Sequence, residues 1–210
     1  MADLDTPVWY ASYGSNLLRQ RFLAYLLGGA VPMSTSGDAQ KGSRDSAMPT
    51  DDRPYVLRHQ LLFAHSSQRW GGGGVAKLSL TSDPLVATQS RAWRITLGQM
   101  EDVFAQENRQ PEPAAIDLEQ LLAAGIVTPY PTWYGSLLHV GSIDGEPVLT
   151  FTGPTPDDVI APAHASYLRV IADGLAELRG WDRATAADYL AACPGHVDHL
   201  DAPTILTLLT

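Results

Sequence analysis

The stretch that decides the fold lies at residues 7–27 and reads PVWYASYGSNLLRQRFLAYLL. Its aromatic and β-branched start predicts a strand from about Val8. The cluster Gly14-Ser15-Asn16 is typical of a turn that also caps a helix, and the residues after it favour a helix ending at Gly28-Gly29. A glycine at such a turn lets a ligand approach the backbone, and free N–H groups at a helix start can bind a carboxylate. An ordinary capped helix after a strand would show the same short pattern.

The rest of the chain predicts more strands, followed by helices. Strands are expected at about 55–65, 75–80, 87–95, 133–140 and 147–152, with a turn at Asp144-Gly145 joining the last two. Helices are expected at 96–107, 114–124, from Tyr167 to Gly180, and from Asp182 to about Ala192. Only the first unit reads as strand then helix, so we predict an α+β fold. Its small mixed sheet is expected to be barrel-like, with flanking helices and a helical C-terminal segment.

The domain organisation follows from the same pattern. We expect one domain at 7–195, interrupted by a long loop at about 33–54 that is rich in Ser, Gly, Asp and Pro. Unstructured loops of that length are uncommon in compact domains and often serve as lids. Residues 196–210 show no clear period and are expected to form a C-terminal tail.

Composition narrows the function classes. The chain has 210 residues, of which 45% are apolar and 18% charged, and its net charge is −9. Such an acidic chain is poorly suited to nucleic acid or to an anionic membrane surface, whereas one loop could still bind a small anion. The single cysteine, Cys193, allows no internal disulfide, and no apolar run reaches transmembrane length. The acidic start, without the features of a signal peptide, leads us to expect a cytoplasmic protein.

Glu107 is the residue whose position points most clearly to chemistry. Met100, Val103 and Phe104 form the apolar stripe of the helix predicted at 96–107, and Glu107 falls on the same stripe. A carboxylate on a buried stripe is costly unless paired, and a desolvated carboxyl is suited to general acid–base catalysis. A structural acid at the helix end, or one paired with Arg109, is the alternative. Glu101 and Asp102 are expected to be ordinary solvated acids near the helix start.

Other polar clusters give weaker signals. His196 and His199 flank Asp198, but their spacing matches no strong zinc signature. Ser15 lacks the Gly-x-Ser-x-Gly context of a nucleophile elbow. The four-glycine run at 71–74 lacks the ending of a phosphate-binding loop. We therefore predict no metal site and no nucleotide site.

Three short motifs, in this order, resemble the gamma-glutamyl cyclotransferase family over most of residues 8–180. The first is Tyr10-Ala11-Ser12-Tyr13-Gly14-Ser15-Asn16-Leu17, and the second is Ser67-Gln68-Arg69-Trp70 with the glycines and Val75-Ala76. The third runs from Ala92-Trp93-Arg94-Ile95 to Ala105-Gln106-Glu107-Asn108. Asn108 replaces the usual glycine after the glutamate. We expect it to keep the turn, since asparagine tolerates left-handed backbone.

The resemblance implies a reaction. A gamma-glutamyl amine attacks its own side-chain carbonyl, which releases 5-oxoproline and an amine or amino acid. Glu107 is then the catalytic residue, and the substrate-binding residues are Tyr10, Ala11, Ser12, Tyr13, Gly14, Ser15, Asn16 and Tyr167. The implied partner is a small-molecule gamma-glutamyl substrate, without nucleic acid, membrane, metal or organic cofactor. The leaving group and the oligomeric state are left open.

Two other hypotheses remain. The same glutamate could activate water in an amide hydrolase, which would release glutamate instead of 5-oxoproline. A fold can also lose its activity and persist as a small-molecule binding module, although the retained Glu107 and Tyr-Gly-Ser-Asn loop favour an enzyme.

Overall fold

The computed structural model describes residues 3–31, 33–37, 39–197 and 199–210. Its strands are β1 Pro7–Ser12, β2 Gly29–Ala30, β3 Ala39–Gln40, β4 Asp51–Leu57, β5 His59–Ser67, β6 Gly73–Ser82, β7 Thr88–Thr96, β8 Ile126–Val127, β9 Ser136–Ile143 and β10 Glu146–Thr152. Its helices are α1 Arg19–Leu27, α2 Leu97–Glu107, α3 Leu118–Ala124, α4 Ala165–Arg179, α5 Arg183–Ala191 and α6 Ala202–Leu209. Short 3₁₀ turns occur at Ser15–Leu17, Gln68–Trp70 and Asp157–Val159. None of the helices in these ranges has the length and apolar character of a membrane span.

The main sheet is mixed and has six strands in the order β4-β7-β1-β10-β9-β8. Near its centre lies β1, which runs parallel to β10 and antiparallel to β7. The pairs β2-β3 and β5-β6 form separate two-stranded sheets. The predicted α+β class with a small mixed sheet is confirmed, but the described strands do not close into a barrel. The hydrogen-bonded order ends at β4 and β8, and no pairing joins these two edges in the described ranges.

Two apolar cores lie on the two faces of β1, as strand alternation requires. Val8 and Tyr10 pack with the core that contains α1 and α2, while Trp9 and Ala11 pack with the core that contains α4 and α5. The end of β1 is therefore held between both cores. This places the turn after β1 at a fixed position.

Helix α2 begins where the sequence predicts it. Thr96 forms a capping box with Gln99, and Met100, Val103 and Phe104 are buried. The expectation for Glu101 and Asp102 is wrong, because both side chains are buried. Arg44 accounts for their burial, since it donates to both carboxylates at 2.9 Å. Helical periodicity could not reveal a partner that is 57 residues away along the chain.

The segment expected as a long loop is partly structured. Its residues form β3 and the start of β4, and Ser43 hydrogen-bonds to Leu26 and Tyr25 on α1. Together with the Arg44 pair, these contacts hold residues 41–45 against α1 and α2. Asp38 lies outside the described residues.

The C-terminal residues also form structure that no sequence pattern indicated. Helix α6 packs against α4 and α5, and Ile205 and Leu209 are buried in the same core as those helices. An eight-residue helix with two buried positions has too few turns to show a period.

Candidate active site

A cavity of about 420 Å³ opens at the end of β1. Its walls come from the turn after β1, from α1, β6, the end of α2, residues 131–134 and α4. It brings together most of the predicted site residues, namely Tyr10, Tyr13, Gly14, Ser15, Asn16, Glu107 and Tyr167. Ala11 and Ser12 do not line it. Ala11 is buried in the core, and the Ser12 hydroxyl donates to backbone carbonyls behind the turn.

The turn after β1 is held by side chains on its buried side. The carbonyl oxygen of Asn16 accepts from the Ser12 hydroxyl at 3.0 Å and from the Trp93 indole at 3.1 Å. The Tyr13 hydroxyl donates to the carbonyl of Phe151 at 2.7 Å. Because these contacts lie behind the turn, its opposite side faces the cavity with a defined shape.

Glu107 lies at the end of α2 and is partly buried in the cavity wall. The Asn16 amide donates to Glu107 Oε1 at 3.4 Å and to the Tyr10 hydroxyl at 3.1 Å. Burial raises the pKa of the Tyr25 hydroxyl, and the nearby Glu107 carboxylate raises it further. The described residues show no ion pair between Glu107 and Arg109, so neutral partners hold this carboxylate.

Tyr167 closes the cavity from α4. Its hydroxyl oxygen accepts from the backbone N–H of Ala76 at 3.3 Å and lies near that of Ser15. Since two N–H groups already lie close to the oxygen, the hydroxyl proton is left to donate elsewhere. Burial raises the pKa of Tyr167 to about 12, so the hydroxyl keeps this proton at neutral pH.

The other cavity tyrosines are protonated donors as well. Burial raises the pKa of Tyr10, Tyr13 and Tyr134 well above the usual value. Glu107 is the one carboxylate among the described residues of the lining. Among the ionisable side chains of the lining, the cavity therefore offers one acid, Glu107, beside neutral hydroxyls and the cations Arg21, Arg69 and Arg109.

Asn108 does not have the expected role. Its φ is −91°, outside the left-handed region, whereas the next residue, Arg109, has φ of 53°. The Asn108 amide instead donates to the carbonyls of Phe104 at 2.8 Å and Tyr134 at 3.2 Å, and its oxygen accepts from the Thr132 hydroxyl. This side chain therefore ties the end of α2 to the cavity wall at 131–134.

Sequence reasoning missed two basic residues. Arg21 is 1% exposed on the buried face of α1 and lines the cavity. Arg21 lies four residues before Tyr25, on the apolar face of the predicted helix. A charged residue on such a face could have been recognised from the sequence, as Glu107 was. Lys77 is fully buried on β6, with its Nζ 4.7 Å from the centre of the Tyr134 ring. A single lysine within a strand gave no such signal.

One of the histidines near the C-terminus, His196, serves the fold. His196 is buried, its Nε2 accepts from the N–H of Ala163 at 3.1 Å, and its Nδ1 donates to the carbonyl of Leu190 at 2.8 Å. Burial lowers the pKa of His196, which favours this neutral form. Asp198 lies outside the described residues. No group of three or more His, Cys, Asp or Glu residues suited to a metal occurs in the described part of the chain.

Comparison with known proteins shows what the chain resembles. No protein-family model matches it. Histone deacetylase 5 of Arabidopsis thaliana is 33% identical over 201 residues, which cover 84% of this chain and 29% of that protein. The chain thus spans less than a third of the length of this curated relative.

Three solved structures resemble the chain. An uncharacterised human protein has a TM-score of 0.50 at 17% identity, and a gamma-glutamyl cyclotransferase has a TM-score of 0.47 at 17% identity, each over 89% of this chain and 88% of the other. A yeast gamma-glutamyl cyclotransferase specific to glutathione has a TM-score of 0.37 at 15% identity, over 97% and 96% of the two chains. At this level of identity the human structure shows a shared fold and not a shared activity. The chain therefore shares the mixed α+β fold of this human protein.

Proposed function

We propose that the chain is a gamma-glutamyl cyclotransferase-type enzyme with Glu107 as its proton carrier. One observation carries the proposal. Glu107 lies in a cavity wall within 3.4 Å of Asn16, a residue of the turn that would hold the substrate. A partly buried carboxylate beside a polar turn can take a proton from a bound ammonium group and return it to a leaving nitrogen.

The substrate supplies its own nucleophile in this reaction. Glu107 takes one proton from the α-ammonium group, and the resulting amine attacks the side-chain carbonyl carbon, which forms the five-membered ring. The ring nitrogen still carries two hydrogens and loses one of them as a proton to solvent. The C–N bond to the leaving amine then breaks as Glu107 returns the proton to that nitrogen. The products are 5-oxoproline and a free amine. No atom of the protein is covalently bonded to the substrate at any step.

The site then has to orient the substrate and stabilise charge. Holding the amine against the carbonyl can contribute about 7–11 kcal/mol in favourable intramolecular systems. Backbone N–H groups of the turn Gly14-Ser15-Asn16 would hold the α-carboxylate or the developing oxyanion. Tyr167 can donate its free hydroxyl proton to a substrate oxygen, and Tyr10 and Tyr13 form the wall beside it.

An amide hydrolase is the second candidate, because the same carboxylate could activate water. The experiment incubates the purified protein with gamma-glutamyl amino acids, amines and peptides, including glutathione, and quantifies 5-oxoproline and glutamate. We expect 5-oxoproline in amounts equal to the released amine, and a loss of about 10²–10⁴-fold in Glu107→Gln.

Glu119→Gln is the matched control, because Glu119 is an exposed helical glutamate outside the cavity. Thermal unfolding shows whether each variant is folded. Glutamate release in place of 5-oxoproline would support the hydrolase. Full activity in a folded Glu107→Gln variant would remove Glu107 from the mechanism, and no product from any substrate would favour a binding module.

A further inference from the structure

Trp133 is an exposed aromatic side chain in the wall of the cavity. It lies in the segment between β8 and β9 and is 43% exposed, although tryptophan is usually well buried. In the described ranges, the other large apolar side chains that are exposed lie outside the cavity lining. Among such side chains, Trp133 is therefore the one that a ligand in the cavity can meet.

The ring of Trp133 is held in a fixed orientation. The indole stacks on the imidazole of His65, with ring centroids 4.2 Å apart and an angle of 5° between the planes. The next residue, Tyr134, donates from its hydroxyl to the carbonyl of Ala76 at 2.9 Å, and its own carbonyl accepts from the Asn108 amide at 3.2 Å. Because one face of the indole is covered and the neighbouring backbone is anchored, a ligand that packs on the rest of the ring has little of the protein to order.

His65 supports this ring through an unusual backbone conformation. Its φ is 66°, in the left-handed region, at a place where the register between β5 and β6 shifts between Ala64 and Ser67. Such a conformation is costly for a residue other than glycine, and costly conformations are concentrated at ligand sites. Burial lowers the pKa of His65, and the nearby Lys77 lowers it further, so the imidazole behind Trp133 is neutral at neutral pH. The stack therefore consists of two neutral rings.

The position of Trp133 decides which part of a substrate it can contact. Tyr10, Asn16 and Phe151 are buried and form the inner end of the cavity. Trp133 and Arg109 are exposed and form its mouth. A cavity of about 420 Å³ is of the size that holds drug-sized ligands, so there is space beyond a gamma-glutamyl group. In the proposed reaction the turn after β1 holds the glutamyl half, so a substituent on the leaving nitrogen extends towards the mouth.

The charges near Trp133 decide which kind of substituent suits it. The face of an indole can bind a cation or another aromatic ring. The cavity lining also contains Arg69 and Arg109, which repel a cation. A neutral aromatic ring is not repelled, and its stacking on an indole adds to the effect of the apolar area that it buries. These observations favour an aromatic substituent.

We propose that Trp133, supported by His65, is a stacking platform for an aromatic group on the leaving amine, so that the site favours gamma-glutamyl arylalkylamines over gamma-glutamyl alkylamines. The inference rests on the proposed function, in which the turn after β1 holds the glutamyl half. It adds Trp133 as a specificity-determining residue and His65 as the residue that positions it.

The test compares gamma-glutamylbenzylamine with gamma-glutamylcyclohexylmethylamine, whose rings have the same number of carbons but differ in aromaticity. The preference is the ratio of their kcat/KM values for 5-oxoproline release. In Trp133→Leu this preference should fall about three- to tenfold, as the loss of an aromatic pair predicts, and in Trp133→Phe it should be intermediate. Because each variant is compared with the wild type on the same two compounds, the difference in their intrinsic reactivity cancels.

Leu122→Ala is the matched control. Leu122 is 41% exposed, close to the value for Trp133, but lies on α3 outside the cavity lining. Its variant should keep the wild-type preference. An unchanged preference in folded Trp133→Leu would overturn the proposal, whereas 5-oxoproline release by the wild type would still support the cyclotransferase reaction.

Calorimetric binding of the same two compounds gives a readout that does not depend on turnover. If no 5-oxoproline forms but the benzylamine compound binds better, and Trp133→Leu removes this difference, the platform stands and the cyclotransferase proposal fails. If Trp133→Leu weakens both compounds equally, the platform is overturned, because the ring then acts on the shared half of the ligand or on the fold. Equal binding of both compounds by the wild type overturns it as well.

His65→Asn tests the support of the ring. Asparagine tolerates the left-handed backbone at this position but removes the imidazole that covers one face of the indole. The preference should fall about two- to threefold, and a folded variant with the full preference would show that His65 does not position Trp133. Thermal unfolding shows whether each variant is folded. If Trp133→Leu is not, Trp133→Met takes its place with the same expected fall.

Discussion

The hydroxyl oxygen of Tyr167 lies 2.7 Å from the position that a β-carbon on Gly14 would occupy. The φ of Gly14 is −116°, which any residue can adopt, so the glycine is required by space and not by the sign of φ. Only a residue without a side chain lets the tyrosine of α4 reach the N–H groups of Ser15 and Ala76. This contact joins the turn after β1 to α4 at the cavity.

A double-mutant cycle tests this contact. Gly14→Ala should lower kcat/KM at least about tenfold, because the tyrosine must move away from these two N–H groups. In a Tyr167→Phe background, which lacks the hydroxyl oxygen, Gly14→Ala should lower kcat/KM by less than about threefold. Additive effects in kcat/KM and in thermal unfolding would show that the two residues are not coupled.

Lys77 should make the stability depend on pH. Burial lowers the pKa of Lys77 to about 7, whereas the unfolded chain keeps the ordinary value of 10.5. Between these two pKa values the unfolded state binds more protons than the folded state, so the free energy of unfolding rises with pH. The charged, buried Lys77 therefore destabilises the folded protein fully below pH 7 and progressively less as the pH rises towards 10.5. Lys77→Met should therefore stabilise the protein, and its advantage should shrink by about 2–3 kcal/mol between about pH 6 and pH 9.

Urea unfolding of the wild type and Lys77→Met at about pH 6, 7.5 and 9 measures this difference. Lys41→Met is the control, because the Lys41 side chain is exposed. Its effect on the free energy of unfolding should stay small and nearly constant over the same pH range. A Lys77→Met advantage that does not change with pH would mean that Lys77 keeps one protonation state throughout.

Arg44 should be needed for the stability of α2. Removing it in Arg44→Ala leaves Glu101 and Asp102 buried without their cation. Because Arg44 itself is half exposed, we expect a loss of about 1.5–3 kcal/mol, below the value for a fully buried pair.

Arg53→Ala is the matched control, since Arg53 also bridges two acids, Asp51 and Asp144, but on the surface. The loss of stability that Arg53→Ala causes in urea unfolding should be clearly smaller than that of Arg44→Ala, and equal losses would contradict the difference in burial between the two pairs of acids.

The last helix should contribute to the core of the domain. Ile205 is fully buried between α6 and the core that contains α4 and α5, so Ile205→Ala should cost about 2–4 kcal/mol. Thr207→Ala, at an exposed position on the same helix, should change the free energy of unfolding by less than about 0.5 kcal/mol. If Ile205→Ala unfolds like the wild type, residues 196–210 act as an independent tail.

Local patterns in the sequence determined the elements that bound the site. The β-branched and aromatic run before Gly14 predicted β1, and Thr96 marked the start of α2 through its capping geometry. The helical spacing from Met100 placed Glu107 on the inner stripe, where the structure has it beside Asn16. Each of these inferences depends on residues within a few positions of one another, and such spacing is what backbone periodicity encodes.

Tertiary structure alone decided which distant groups meet. It buried Glu101 and Asp102 under Arg44, and it brought Tyr167 to Gly14. It also directed Gln40 at Arg21 and Arg69. It left the sheet open, because no pairing in the described ranges links its edge strands. Burial and charge pairing depend on contacts between segments far apart in the chain, and the period of one helix or strand carries no information about its neighbours in space.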